Sequence, residues 1–246
     1  MVNLNKNRSL DELRGVIQKS VYERIDIEEQ NRILELFNQR VFLEKTIDEA
    51  ISFNKSLNWD KKNPYYQLTT TAEELIEVFK LRSDVYTSIE YQEEFPDTIE
   101  GLNFDKYDHN SAIVYCKKNN EYTGTSRIIF DSRHKLPSEA KFSFNYLRDS
   151  DLKLCETSRF TIKKDSDGLS FDFKNIMRSF YEITTFNNYD LIVSGIREEH
   201  FKMYSKFGGI KIEKELDSYG HIEVPFLIIS WNPYEASKFF KRSFLR

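Results

Sequence analysis

The stretch LKLCETSRFTI, residues 152–162, has the apolar and β-branched content of a buried strand, yet carries Glu156 and Arg159 in its middle. Alternate side chains of a strand face opposite ways. Leu154, Glu156, Ser158, Phe160 and Ile162 therefore form one set, and Cys155, Thr157, Arg159 and Thr161 the other. A regular strand cannot pair the acid with the base. Buried charges cost several kcal/mol unless they are paired, so an interior strand of this kind demands partners for both.

Working outward, the segments on either side alternate between strand and helix patterns. SAIVYCK (111–117) and GTSRIIFD (124–131) read as strands around a hairpin loop, followed by the irregular stretch HKLPSE (134–139). After the 152–162 strand, FDFKNIMRSFYEITTFNN is periodic as a helix, with Phe173, Ile176, Met177, Phe180 and Ile183 on one side. DLIVSGI is a short buried strand, REEHFKMYSKFGG a short helix closed by a glycine pair, and IKIEKEL and VPFLIISW two more strands. Upstream, Thr71 and Glu74 form a capping-box pattern before Leu75, Val78, Phe79, Arg82 and Tyr86. The turn signal Asn63-Pro64 and the run YYQLTT precede it, and a long aperiodic loop, 90–110, follows. This order predicts an α/β domain with an antiparallel half and one βαβ crossover. The first sixty residues read as a helical appendage of three helices, starting at Ser9/Glu12, Asp26/Glu29 and Thr46/Glu49, the first with Leu10, Leu13, Ile17 and Val21 on one face. The expected division is an appendage at 1–62 and a main domain at 63–246.

The chain of 246 residues is long enough to bury a substantial core, and its formal net charge of -4 argues against a dedicated nucleic-acid binder. Two cysteines, Cys116 and Cys155, lie in apolar runs, which suggests reduced core thiols and a cytoplasmic protein, with neither a disulfide framework nor a zinc site. No apolar leader opens the sequence and no run of eighteen uncharged apolar residues occurs, so a soluble protein is expected. Twenty Phe and fourteen Tyr against two Trp fit either a dense core or a large apolar pocket.

No Walker A sequence or glycine fingerprint follows a strand. KKDSDGLS (163–170) is half an EF-hand loop, but the twelfth position from Asp165 is Ile176 where calcium needs a Glu. His109, His134, His200 and His221 show no ligand spacing, and no metal site is expected. What remains is a set of charges in or beside apolar elements: Arg82, Asp105, Asp108, Arg127, Glu156 and Arg159. Taken singly, each is compatible with an ordinary surface ion pair.

Taken in order, they carry a resemblance. Arg82 and Tyr86, Asp105-x-x-Asp108, Gly124-x-x-Arg127 and Glu156-x-x-Arg159-Phe160 resemble the motif set of the acyl-homoserine-lactone autoinducer synthases and of their relatives, the long-chain N-acyl amino acid synthases. Both are GNAT-superfamily acyltransferases, and the resemblance covers about residues 65–232. It implies a GNAT-like mixed central sheet and an ion cluster in which Arg82, Arg127 and Arg159 brace Asp105, Asp108 and Glu156 beside the acceptor pocket. It also implies that the 152–162 strand is splayed from its neighbour and bulged, and an extra residue shifts facing parity by one, which would put Glu156 and Arg159 on the same side.

Two departures bear on the acceptor. Asn103 stands where homoserine-lactone synthases usually have a Glu, and Tyr91 and Phe95 stand where they have a Trp, both in the region associated with S-adenosylmethionine. The implied function is transfer of a fatty acyl group from an acyl carrier protein or CoA thioester to the amine of an amino acid or related acceptor, directly and without an acyl-enzyme. Glu156 is the expected proton acceptor, and Cys155 faces away from it. No cofactor is bound permanently; the acyl thioester is a co-substrate. Phe142, Phe144, Tyr146, Phe160, Phe173, Met177 and Phe180 are the expected lining of an acyl tunnel. Lys163, Lys164, Arg178, Lys202, Lys206 and the tail SKFFKRSFLR provide docking charges for the acidic carrier protein, and the tail alternatively provides a peripheral membrane contact. The alternative readings are an acyl-homoserine-lactone synthase and a non-catalytic GNAT-like binding module.

Overall fold

A computed structural model describes Glu12, Gly15, Val16, Gln18, Lys19 and residues 26–163 and 169–246 of the chain. Two compact units divide at Asp48/Glu49. Of the first unit, the helix start expected at Ser9, with its face of Leu10, Leu13, Ile17 and Val21, lies outside the described residues. The second expected start is present, with the Asp26 carboxylate accepting the Glu29 N–H at 3.0 Å. The third is not. Helix α1 runs unbroken from Ile27 to Ser56, because the segment holds no Gly or Pro and Thr46 sits inside it with no cap to make. The expected boundary near residue 62 also moves. Segment 49–62 belongs to the larger unit, where Asn54 bonds Thr69 and the Ile113 N–H, Asn58 and Asn187 exchange hydrogen bonds, and Phe53 lies 5.4 Å from Phe130.

The larger unit is built on a seven-stranded sheet of order β1-β2-β3-β4-β5-β7-β6. Its strands are β1 (Gln67–Leu68), β2 (Ser111–Lys118), β3 (Glu121–Phe130), β4 (Leu154–Ile162), β5 (Leu191–Arg197), β6 (Ile210–Leu216) and β7 (Phe226–Trp231). β2 and β3 meet in a tight turn at Asn119 and Asn120, both at positive φ, as a two-residue hairpin requires. Only β4 and β5 pair in parallel among the described strands, joined by the crossover helix Leu169–Phe186. The sheet is thus the expected mixed one.

Helix α2 (Ala72–Ser88) starts at the expected capping box, Thr71 with Glu74, and covers one face of β3 and β4. The crossover helix, α4 after the single-turn α3 (Asn145–Arg148), covers the other face. Ile176, Met177, Phe180 and Ile183 pack there on Ala112, Val114, Ile128 and Cys155. After the one-turn α5 (Phe201–Tyr204), the C-terminal helix α6 (Lys238–Phe244) joins the same core. Phe240 and Phe244 are buried against Phe207 and Trp231, so the tail does not offer the apolar face that a membrane contact needs; of its aromatic rings Phe239 alone is exposed. No helix among the described residues is long and apolar enough to cross a membrane.

Candidate active site

The parity problem of β4 is resolved by a bulge. Arg127 of β3 pairs with Ser158 and Thr125 with Thr161, so Ser126 alone opposes two residues, Arg159 and Phe160. Arg159 takes φ +54°, the left-handed region that a non-glycine residue enters at some cost. The extra residue turns Arg159 onto the face that Glu156 already occupies, as expected, and sends Phe160 towards Phe173 and Phe180 on the α4 face.

β4 also parts from β5. The parallel ladder runs from Leu154/Leu191 to Thr157/Ser194, where the two hydroxyls hydrogen-bond each other, and stops. Beyond that rung β4 stays with β3 and β5 stays with β7. The gap opens into a cavity of about 490 Å³, within the range of small-molecule sites. Its walls come from both sides of the sheet. Glu156, Arg159, Arg127, Asp105 and Tyr219 stand on the α2 face, and Met177, Phe180, Ile192, Tyr204 and Trp231 on the α4 face.

Five of the expected charges form one cluster. The Asp105 carboxylate takes two hydrogen bonds from Arg127, at 2.6 and 2.8 Å, and one from Arg159 at 2.8 Å. Asp108 takes Arg82 at 2.8 Å and Arg127 at 3.0 Å, and its second oxygen accepts the Asp105 N–H at 2.8 Å. The three-residue spacing of the aspartates is therefore that of a tight turn. Burial would raise the Asp105 pKa, but Arg127 and then Arg159 outweigh it and hold the carboxyl well below the usual range. Arg127 stays charged for the same reason, although burial acts against it. Arg159 lies under Phe95 at 4.4 Å and beside Tyr86 at 5.7 Å, which caps the guanidinium with aromatic faces. Arg82 and Asp108 are fully buried behind the cavity wall and do not line it.

Glu156 stands outside this cluster, contrary to expectation. Among the described residues no arginine ion-pairs with it. Instead its Oε2 accepts the Ser138 N–H at 2.9 Å from the 3-10 turn Pro137–Ala140. That turn is pinned by Arg148, which ion-pairs Asp131 and Glu139, each at 2.6 Å. Burial dominates, and the Glu156 carboxyl is pushed up to about 7 despite the Ser138 hydrogen bond and Arg127. Ser138 lies in the irregular stretch 134–139, which has no period that could have pointed to it.

The cavity holds some of the expected apolar residues and omits others. Phe160, Met177 and Phe180 line it. Phe142 and Phe144 do not: they pack on each other and on Ile129, Leu147 and Leu154 in a separate core on the α2 face, with Tyr146 half exposed beside them. Phe173 stands behind Phe160, against Phe244. Sequence reasoning missed Tyr204, Ile210 and Trp231, whose runs differ in nothing from ordinary core, and Tyr219, which lies in a polar turn between β6 and β7. Cys155 is buried against Thr184 on the α4 side, and burial pushes its thiol up to about 12, so it is no nucleophile for this site. Among the described residues no group of His, Cys, Asp and Glu could hold a metal ion.

A mixed sheet opened between its two parallel strands, with a buried carboxyl at the opening and an apolar hollow beyond it, has the form expected of a GNAT-like acyltransferase. Residues 77–232 match the family model described as N-acyl amino acid synthase FeeM, and the chain belongs to that family. Among solved structures it is similar to FeeM, an N-acyl amino acid synthase from uncultured soil microbes, with TM-score 0.56 at 16% identity over 73% of this chain and 93% of that one. It is also similar to the AHL synthase LasI, with TM-score 0.52 at 18% identity over 70% and 91%. The CoA-dependent acyl-homoserine lactone synthase BjaI, solved with SAM and isopentyl-CoA, gives TM-score 0.52 at 12% identity over 68% and 78%. At such identities the likeness is one of fold. No curated protein matches the chain.

Proposed function

We propose that the 49–246 unit moves a long-chain acyl group from a carrier-protein or CoA thioester to the amine of a free amino acid, with Glu156 as the proton acceptor. The observation that carries this reading is the cavity between β4 and β5, polar on the Glu156 face and apolar on the α4 face. In this arrangement the thioester lies at the split. The β4 edge past Thr157 has no β5 partner, which leaves backbone groups for the amides of pantetheine. The acyl chain enters the hollow among Met177, Phe180, Ile192, Tyr204 and Trp231. The acceptor stands on the other face, beside Asp105, Arg127, Arg159, Tyr86 and Phe95.

The acceptor's ammonium gives one proton to Glu156, and the freed nitrogen pair attacks the thioester carbonyl carbon. A C–N bond forms while the carbonyl π pair moves to oxygen. Collapse of the tetrahedral intermediate breaks the C–S bond, and the thiolate leaves with the proton the new amide nitrogen must lose. A base with a pKa of about 7 suits this step at neutral pH. Asp105, held ionised by two arginines, positions Arg127 and Arg159 and takes no proton.

Asn103 supports an acceptor other than SAM. It is fully buried, and its amide donates to the carbonyls of Phe95 and Pro96, a bracing role that a Glu could not fill. For carrier docking, Lys202 and Lys206 are exposed and available. Arg178 is not, being buried against Tyr65 and paired with Glu182 at 3.1 Å; Lys164 lies outside the described residues.

The test is incubation of the full chain with acyl carrier protein charged with a long acyl chain and each of a panel of amino acids or SAM, read by mass spectrometry. An N-acyl amino acid, lost by at least about a hundredfold in Glu156→Gln, is the expected result. A homoserine lactone product would move the chain to the other branch, and full transfer by the Glu156→Gln and Arg159→Ala variants would place the chemistry elsewhere.

A further inference from the structure

Three cations line the cavity: Arg127, Lys141 and Arg159. The first and third are committed to Asp105. Lys141 has no carboxylate within 4 Å among the described residues, and its Nζ stands 5.6 Å from the ring centre of Tyr219, another wall residue. Tyr219 in turn packs over Gly195 of β5, where an added Cβ would meet the ring at 3.4 Å. Burial pushes the Tyr219 phenol up, so it stays a protonated donor. Glu94 shares the cavity, but its carboxylate accepts the His221 N–H at 2.8 Å and lies against Gly220.

The placement of Lys141 assigns it to one of the two substrates. Its backbone closes the Pro137–Ala140 turn by bonding the Ser138 carbonyl at 2.9 Å, and the Ser138 N–H is the hydrogen bond to Glu156. The free ammonium and the proton acceptor are thus rooted in one turn, on the sheet face opposite the α4 hollow. We infer that Lys141 is the specificity residue for the acceptor's carboxylate: it holds the α-carboxylate at the cavity mouth, with the Tyr219 hydroxyl beside it, and so presents the α-amine to Glu156. This deepens the acyl-transfer reading and rests on it. It also disfavours acceptors whose charge at that end is positive.

The test uses the full chain, a long-chain acyl carrier protein donor and matched acceptor pairs that differ by the carboxylate alone: phenylalanine with phenethylamine, and leucine with isoamylamine. Wild type should favour the amino acid of each pair. In Lys141→Ala the ratio of kcat/KM for amino acid over amine should fall about tenfold or more, the value of one charge-assisted hydrogen bond, and the loss should appear in the amino-acid KM. Lys141→Arg should restore much of the preference, and Lys141→Glu should reverse it. An unchanged ratio in Lys141→Ala and Lys141→Glu, or a change confined to the KM of the acyl donor, would overturn the inference while leaving acyl transfer standing. Absence of any acylated product with wild type would instead overturn the reading beneath it.

Discussion

Two carboxyls that line the same cavity are driven in opposite directions by their surroundings. Asp105, partly exposed, meets two guanidinium groups and stays ionised; Glu156, almost wholly shut away from water, meets a backbone N–H and is pushed up to about 7. The residue types were legible, since Glu156 and Arg159 could not both be idle in a core-like strand. Their partners were not legible, because Ser138 comes from a stretch with no period to read. A consequence for stability follows. The folded state holds its Glu156 proton up to about pH 7 while the unfolded chain loses it near 4.5, so folding takes up a proton between these values. Stability contributed by this group is full below pH 4.5 and is lost as pH rises to 7. A difference of that size corresponds to roughly 3 kcal/mol. Glu156→Gln keeps an acceptor for the Ser138 N–H and cannot ionise. Its urea midpoint is therefore expected to exceed that of wild type at pH 8 and to approach it at pH 4, together with loss of acyl transfer. An equal difference at both pH values would show that the carboxyl is not buried as an acid near neutrality.

At the level of elements, β4 shows how a pattern can point to irregular geometry. Strict alternation put the two charges on opposite faces, and the bulge at Arg159 and Phe160 reconciles them. Helix α2 was legible in full, from its cap to Tyr86, because a capping box and a 3.6-residue period agree. Helix α1 was split in the reading because Thr46 with Glu49 mimics a cap where the chain simply continues. The motif glycine, Gly124, has a packing role that its company of charges concealed. A Cβ there would meet the Asp172 Cβ and the Ile176 Cδ1 at 3.3 Å each, so the glycine lets α4 close down on β3. Ile176 is fully buried and has little room to yield. Gly124→Ala is expected to lower stability by about 1–2 kcal/mol, the usual range for overpacking, seen as a reduced urea midpoint. The acceptor KM should stay near wild type, since Gly124 does not line the cavity. A large change in KM without loss of stability would contradict the packing role.

For the whole molecule, the contrast between the faces of the sheet organises the site: the charged cluster and the Glu156 carboxyl on the α2 side, apolar volume on the α4 side, and an opening between them where β4 leaves β5. The fold class could be read from element order. The walls of the cavity could not, because a residue facing a void and one facing a neighbour have the same composition; what separates Phe160 and Phe180 from Phe142 and Phe144 is where a ladder of hydrogen bonds ends. In the proposed arrangement, that end point also sets the depth available to the acyl chain. Met177, nearly buried on α4, lines the hollow together with Phe180 and Trp231. Met177→Phe places a stiffer, bulkier group at this wall, at a stability cost of about 1–2 kcal/mol. Offered an equimolar mixture of carrier-bound chains from eight to sixteen carbons, the variant should shift its N-acyl products towards shorter chains than wild type, as measured by mass spectrometry. If the α4 hollow is the acyl site, the product profile moves while the amino-acid KM holds. An unmoved profile with a raised amino-acid KM would exchange the two substrates across the sheet, and would carry the role of Lys141 over to the donor with them.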